Sequence, residues 1–276
     1  VPQKNDDYFP LGIIAGSGIL PGELAIISKN LGKEPFIACI TKEIEIDLID
    51  HCDYRFFSIG SVGSIIEYFK SNKVKNIVFA GSIKRPNLSK LKVDIAGAHL
   101  LTKILKQKFL GDDKLLTIVA EFLGDKGFKI ISAQDILMLE SDYGQLSTNR
   151  QPSKQDLIDI ELGLKVARSL GALDIGQSVI IEDGYVLGVE AAEGTENLIE
   201  RCAVLRKKPY GGVLVKVLKP NQDVRLDIPS IGPETVNSLA KFKYNGVAIE
   251  AGSVIIISRE STYEFANEDD IFIAEV

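Results

Sequence analysis

Five short, largely apolar runs at residues 11–15, 35–40, 55–59, 76–80 and 128–132 constrain the first half of this chain more than any other feature. Each is too short for a helix and too continuous for a strand with one wet face. Such runs are expected of parallel strands covered on both sides. Between them lie segments of helical period, at 21–31, 60–73, 97–109 and 113–127. In the second of these, Val62, Ile65, Ile66 and Phe69 fall on one side. Strands alternating with helices predict a doubly wound, Rossmann-like domain over residues 1–145.

The pattern changes at residues 146–155. This stretch is polar, carries Pro152 and has no apolar period, so it is expected to be a linker. A mixed α/β domain is expected over residues 156–276. It opens with a helix at 155–170, followed by strands at 178–182 and 185–190 joined through Asp183-Gly184, a tight-hairpin dipeptide. Further elements are a helix at 195–205, a strand at 212–217, a helix from Pro233, and strands at 246–250 and 253–257. A chain of 276 residues is long enough for two domains, each with its own core.

Charge and residue counts exclude several classes of function. The net charge of −6 argues against a generic nucleic-acid binder. Cys39, Cys52 and Cys202 are far apart and odd in number, so neither a disulfide framework nor a zinc site is expected, and a reducing cytosol fits. With only His51 and His99, acid–base work falls to carboxylates, lysines or a bound metal. No apolar run is long enough to span a membrane, and the N-terminal residues lack a hydrophobic signal region. One stretch opposes the global charge. From Lys84 to Lys108 there are seven basic residues against Asp94 alone, and an apolar stripe of Leu101, Ile104, Leu105 and Phe109 lies between Lys103, Lys106 and Lys108. Packing of this stripe into the protein's own core is the favoured reading, and contact with an anionic membrane surface is the alternative.

The residues that carry chemistry fall in loops. Gly16-Ser17-Gly18 follows the first strand and Gly81-Ser82 follows the fourth, with Arg85 shortly after, where backbone amides approach phosphates in such folds. A tight turn with no ligand is the alternative reading of the glycines. The dinucleotide fingerprint is incomplete, because Pro21 replaces its third glycine and Thr41-Lys42 stands where a ribose-binding acid would be. Asp112 and Asp113 either cap a helix or hold a hard cation such as Mg²⁺. Glu190 ends an apolar strand, where a charge requires a partner, and Gly194-Thr195 opens a helix. The densest segment runs from Lys216 to Thr235. In an extended conformation Asp223, Arg225 and Asp227 leave one face, and Gly232-Pro233-Glu234-Thr235 begins a helix suited to an anion. A surface ion pair between Arg225 and a neighbouring aspartate is the simpler reading of those charges.

These landmarks, together with Leu11-Gly-Ile-Ile-Ala-Gly-Ser-Gly, Asp174-Ile-Gly-Gln177-Ser178 and Val189-Glu-Ala-Ala-Glu-Gly-Thr195, resemble in order the UDP-2,3-diacylglucosamine pyrophosphatase family of the lipid A pathway. The likeness is to the alphaproteobacterial type, unrelated to the calcineurin-like enzymes of the same step. It implies hydrolysis of a lipid-linked UDP-sugar with Mg²⁺ or another divalent cation, in a crevice between two domains, with attack at the phosphorus nearer the sugar. The essential aspartate of the Arg-x-Asp-x-Pro motif is then Asp227. Asp112, Asp113, Asp223 and Asp227 become candidate metal ligands. Gly16, Ser17, Gly18, Gly81, Ser82, Arg85, Gln177, Glu190, Gly194, Thr195, Lys216, Gln222, Arg225 and Thr235 become candidate substrate contacts. A cytoplasmic protein, peripheral on the inner membrane and compatible with a homo-oligomer, is expected. Competing readings are a nucleotide-sugar oxidoreductase, which the broken fingerprint and missing Tyr-x-x-x-Lys pair disfavour, and a non-catalytic nucleotide-sugar or lipid carrier.

Overall fold

β1 (Leu11–Ala15) is buried at every position, as a strand covered on both faces must be. The computed structural model describes residues 6–83, 91–106, 112–140, 146–220 and 222–276. Two units emerge, one of Val1–Tyr143 with Asp223–Asp227 and one of Gly144–Gln222 with Ile228–Val276. In the first, β1 is followed by α1 (Leu20–Asn30), β2 (Phe36–Cys39), β3 (Asp53–Phe56), α2 (Val62–Ser71), β4 (Asn76–Ala80), α3 (Ile95–Leu105), α4 (Asp112–Gly124), β5 (Lys129–Ile130) and α5 (Ala133–Leu137). The five strands form one parallel sheet in the order β3-β2-β1-β4-β5. The chain therefore reverses its winding between β1 and β4. The loops leaving these two strands emerge side by side, where open α/β sheets bind ligands.

The expected elements are present with shifted ends. β3 begins two residues before the expected run because Asp53 is satisfied there, accepting from the Tyr68 hydroxyl at 2.8 Å. α5 was not anticipated. A capping box starts it, in which Ser132 accepts from the Gln134 amide and Asp135 accepts from the Ser132 amide.

The segment Asp223–Asp227 departs from expectation. Residues 224–226 form a turn, with the Leu226 amide donating to the Asp223 carbonyl at 2.8 Å, so the three charges do not share one face of a strand. Burial decides this. Leu226 is 7% exposed and belongs to the core of the first unit, a cluster that includes Phe69, Ile77, Phe128 and Ile130. Ser132 fixes the same turn by donating from Oγ to the Val224 carbonyl at 3.1 Å.

The second unit contains α6 (Lys154–Ala172), β6 (Ser178–Glu182), β7 (Tyr185–Val189), α7 (Thr195–Ala203), β8 (Val213–Lys216), β9 (Ser230–Ile231), α8 (Pro233–Lys241), β10 (Gly246–Ile249), β11 (Ile255–Ile256), α9 (Arg259–Glu268) and β12 (Phe272–Glu275). Its main sheet has the order β12-β10-β8-β6-β7, with β12, β10 and β8 parallel and β6 antiparallel to both of its neighbours. Asp183 and Gly184 both have positive φ, as the hairpin dipeptide requires, and their amides donate to Asp159 of α6. α6 lies close on the sheet because Gly163 has no side chain; a Cβ there would come within 2.4 Å of Val215. The strand expected at 253–257 is shorter, pairing as β11 with β9 in a separate two-stranded ladder.

The polar segment 146–155, expected as a linker, is built into this unit. Thr148 is 3% exposed and its hydroxyl accepts from the Ile273 amide of β12. Asn149 donates to Asn267, and Arg150 reaches Asp270. Ser153 caps α6 in a capping box with Asp156. These polar side chains make tertiary bonds, so their lack of apolar period did not signal a free connection.

Replacing Leu226 by Ala should destabilise the first unit by about 2–5 kcal/mol, the usual cost of removing a buried leucine side chain. A lowered urea midpoint measures it. A midpoint unchanged from wild type would mean that the turn is not anchored by this side chain.

Candidate active site

At the winding reversal, the two glycine loops hold each other. The Gly16 amide donates to the Ala80 carbonyl at 2.8 Å, and Ser17 and Ser82 exchange backbone bonds of 2.8 and 3.0 Å. Ser17 Oγ adds a bond to the Ser82 carbonyl. Glycine is required at this crossing: a Cβ at Gly16 would come within 2.4 Å of the Ser82 carbonyl oxygen, and one at Gly81 within 2.3 Å of the Ser17 carbonyl oxygen. The amides of Gly16, Ser17 and Ser82 are therefore committed to joining the loops. Gly18, at φ +93°, turns the chain toward α1. Arg85 lies outside the described residues.

The turn that carries Asp227 belongs to the same unit. Arg225 clamps Asp223 with two bonds, Nε to Oδ1 at 2.9 Å and Nη2 to Oδ2 at 2.6 Å, and its amide adds a third. This hydrogen bonding to Arg225 holds the Asp223 carboxyl below the usual range and raises the guanidinium in turn. The simpler reading of these two charges, an ion pair, is what the geometry shows. Asp223 and Arg225 line a cavity of about 480 Å³ together with Tyr8, Glu121, Lys129 and Asp135, among others. Burial, followed by the charge of Asp135, pushes the Tyr8 phenol up, so it stays a neutral donor. Sequence reasoning missed Asp135, although its capping-box spacing from Ser132 marked it. Asp227 has an exposed side chain, and its amide donates to the Asp223 carbonyl at 3.3 Å.

In the second unit a polar network lies beside the last residue of β8. Glu190, Lys216 and Thr235 are each 7% exposed. The Thr195 hydroxyl donates to Glu190 Oε1 at 2.9 Å and accepts from Lys216 Nζ at 3.2 Å. The other oxygen of Glu190 accepts from the Gln177 amide at 3.3 Å. Gly194, at φ +80°, turns the chain so that Thr195 can open α7. Glu190 thus has the partner its burial demands, and the Thr195 hydroxyl also lies 3.4 Å from the Ser178 hydroxyl. Thr235 sits apart from this network, donating to Glu196 of α7, which Ser238 also contacts. Gln222 closes a turn, exchanging bonds with Lys219.

Two family models match this chain, described as the LpxI N-terminal domain over residues 10–138 and the LpxI C-terminal domain over residues 144–274. A relative from Caulobacter vibrioides, named UDP-2,3-diacylglucosamine pyrophosphatase LpxI, is 32% identical, with 96% of this chain and 97% of the relative covered. The chain belongs to the LpxI family. The sequence resemblance is therefore correct at family level.

For the expected divalent cation, the described residues hold no ready cage. Asp112 and Asp113 open α4, but their side chains lie outside the described residues. Asp223 is taken up by Arg225. Among the described residues no group of three or more metal-ligating side chains converges. The described residues alone therefore show no preformed divalent-cation site.

The network can be tested through its shared hydroxyl. Thr195→Val should cost about 1–3 kcal/mol, because it leaves two buried charged groups without their common partner. Thr195→Ser should restore most of that loss, as read by chemical denaturation. The Asp223–Arg225 pair predicts a pH effect of definite sign. The folded carboxyl is depressed, so the pair's contribution is complete above the unfolded value of about 4 and disappears as pH falls through the folded one. Asp223→Asn should flatten the acid limb of the stability profile, and an unchanged limb would contradict the pairing.

Proposed function

We propose that the chain hydrolyses the pyrophosphate bond of UDP-2,3-diacylglucosamine, releasing UMP and 2,3-diacylglucosamine 1-phosphate in lipid A biosynthesis. The observation that carries this reading is the end-to-end similarity to the Caulobacter vibrioides pyrophosphatase. Water attacks the phosphorus nearer the sugar, the bond from that phosphorus to the bridging oxygen breaks, and UMP leaves. Asp227 is the candidate to accept the proton of that water. Its place supports the role: Leu226 is anchored on one side, and on the other Pro229 restricts Ile228 to extended backbone. Lys216, oriented by Thr195, is the candidate cation for the substrate's phosphate oxygens.

A divalent cation is proposed as a requirement of the reaction, and no step is assigned to it. Chelation followed by readdition of Mg²⁺ tests the requirement directly, through the rate of UMP release.

Asp227→Asn should lower turnover at least 10²-fold, the usual contribution of a positioned proton acceptor, while the fold stays intact by circular dichroism. Wild-type UMP release by that variant would remove Asp227 from the mechanism. In ¹⁸O-water the label should enter the sugar phosphate; label in UMP would place the attack at the other phosphorus. A carrier would bind the substrate and release no UMP.

A further inference from the structure

α3 has two apolar faces, and among the described residues only one of them is buried. Gly97, Leu100 and Ile104 are buried, and the two larger side chains pack with Ile118 and Phe122 of α4. The outward face consists of Ile95, Ala98, His99, Thr102, Leu105 and Lys106. It carries no carboxylate. Ile95 is 93% exposed and Leu105 66% exposed, so two large aliphatic side chains on this face meet solvent. The expected stripe is thus divided, Ile104 turning inward and Leu105 outward.

We propose that this face of α3 docks on an anionic lipid surface, with Ile95 and Leu105 entering the boundary of the acyl region and lysines meeting the headgroups. Charge complementarity selects this occupant. The chain has a net charge of −6, yet residues 84–108 hold seven basic residues and one acid. That acid, Asp94, is consumed at the helix start, where it accepts from the Gly97 and Gly63 amides. Among neighbouring charges, Lys103 is paired with Asp125 of the α4–β5 turn, while Lys92 and Lys106 have exposed side chains. Exposed aliphatic groups flanked by lysines suit an interfacial helix lying in the membrane plane. No described helix is long and apolar enough to cross a membrane. The inference deepens the proposed activity, whose substrate carries two acyl chains and must be met at a lipid surface.

The test is co-sedimentation of the full chain with vesicles of phosphatidylglycerol and phosphatidylethanolamine, without substrate, so that its outcome is independent of hydrolysis. The double variant Ile95→Glu/Leu105→Glu should bind at least tenfold more weakly, while hydrolysing detergent-dispersed substrate at the wild-type rate. Val204→Glu serves as a control, since Val204 is an equally exposed aliphatic residue of the second unit, 84% exposed. It should bind as wild type. Binding should weaken as salt rises and be much poorer on phosphatidylcholine alone. Undiminished vesicle binding by the double variant, equal binding to neutral vesicles, or a change of oligomeric mass by the double variant in place of lipid binding would each overturn the proposal.

Discussion

The burial of Leu226 is the constraint on which the proposed chemistry depends. One leucine in the core of the first unit makes residues 223–227 part of that unit, although the chain on both sides belongs to the second. An apolar anchor suits this task, because it fixes the backbone without using the polar groups around it. Arg225 and Asp223 stiffen the turn by bonding to each other, and Asp227 follows immediately at the surface. The carboxylate proposed for catalysis gains from this arrangement, since a loop held by its neighbours keeps its geometry.

The two glycine loops illustrate a different use of backbone. Their positions, after adjacent parallel strands at the winding reversal, are those of a phosphate cradle. Yet three of their amides bond across the loops, and both critical glycines are explained by carbonyl oxygens that would meet a Cβ. Glycine at such a turn therefore reports close approach, and what approaches here is the other loop. The same caution applies to Thr235, whose hydroxyl ties α8 to α7 through Glu196.

What was legible in the sequence follows from which forces are local. The strands of the first unit were readable because double-sided burial demands unbroken apolar runs, and the Asp183-Gly184 hairpin because its backbone geometry demands those residues. α9 was not readable. It reads Arg-Glu-Ser-Thr-Tyr-Glu-Phe-Ala-Asn-Glu, and its buried side is made of Thr262, Tyr263 and Ala266, which give no apolar stripe. The turn at 223–227 misled for a related reason. Alternating charged and aliphatic residues favour an extended reading, and only the tertiary burial of Leu226 overrules it. Glu190 advertised its need for a partner, but the partners' arrangement depended on β8 pairing with β6, which brings Lys216 opposite Ser178 across residues far apart in sequence.

The network around Thr195 shows how a buried cation can be kept useful. Lys216 and Glu190, each at 7% exposure, would be costly if unpartnered. Thr195 stands between them. Its hydroxyl gives its proton to Glu190 and its lone pair to Lys216, so the two charges are coupled through an oriented dipole. Serine would preserve this polarity and valine would abolish it. The polarity of this network therefore depends on a residue that bears no charge.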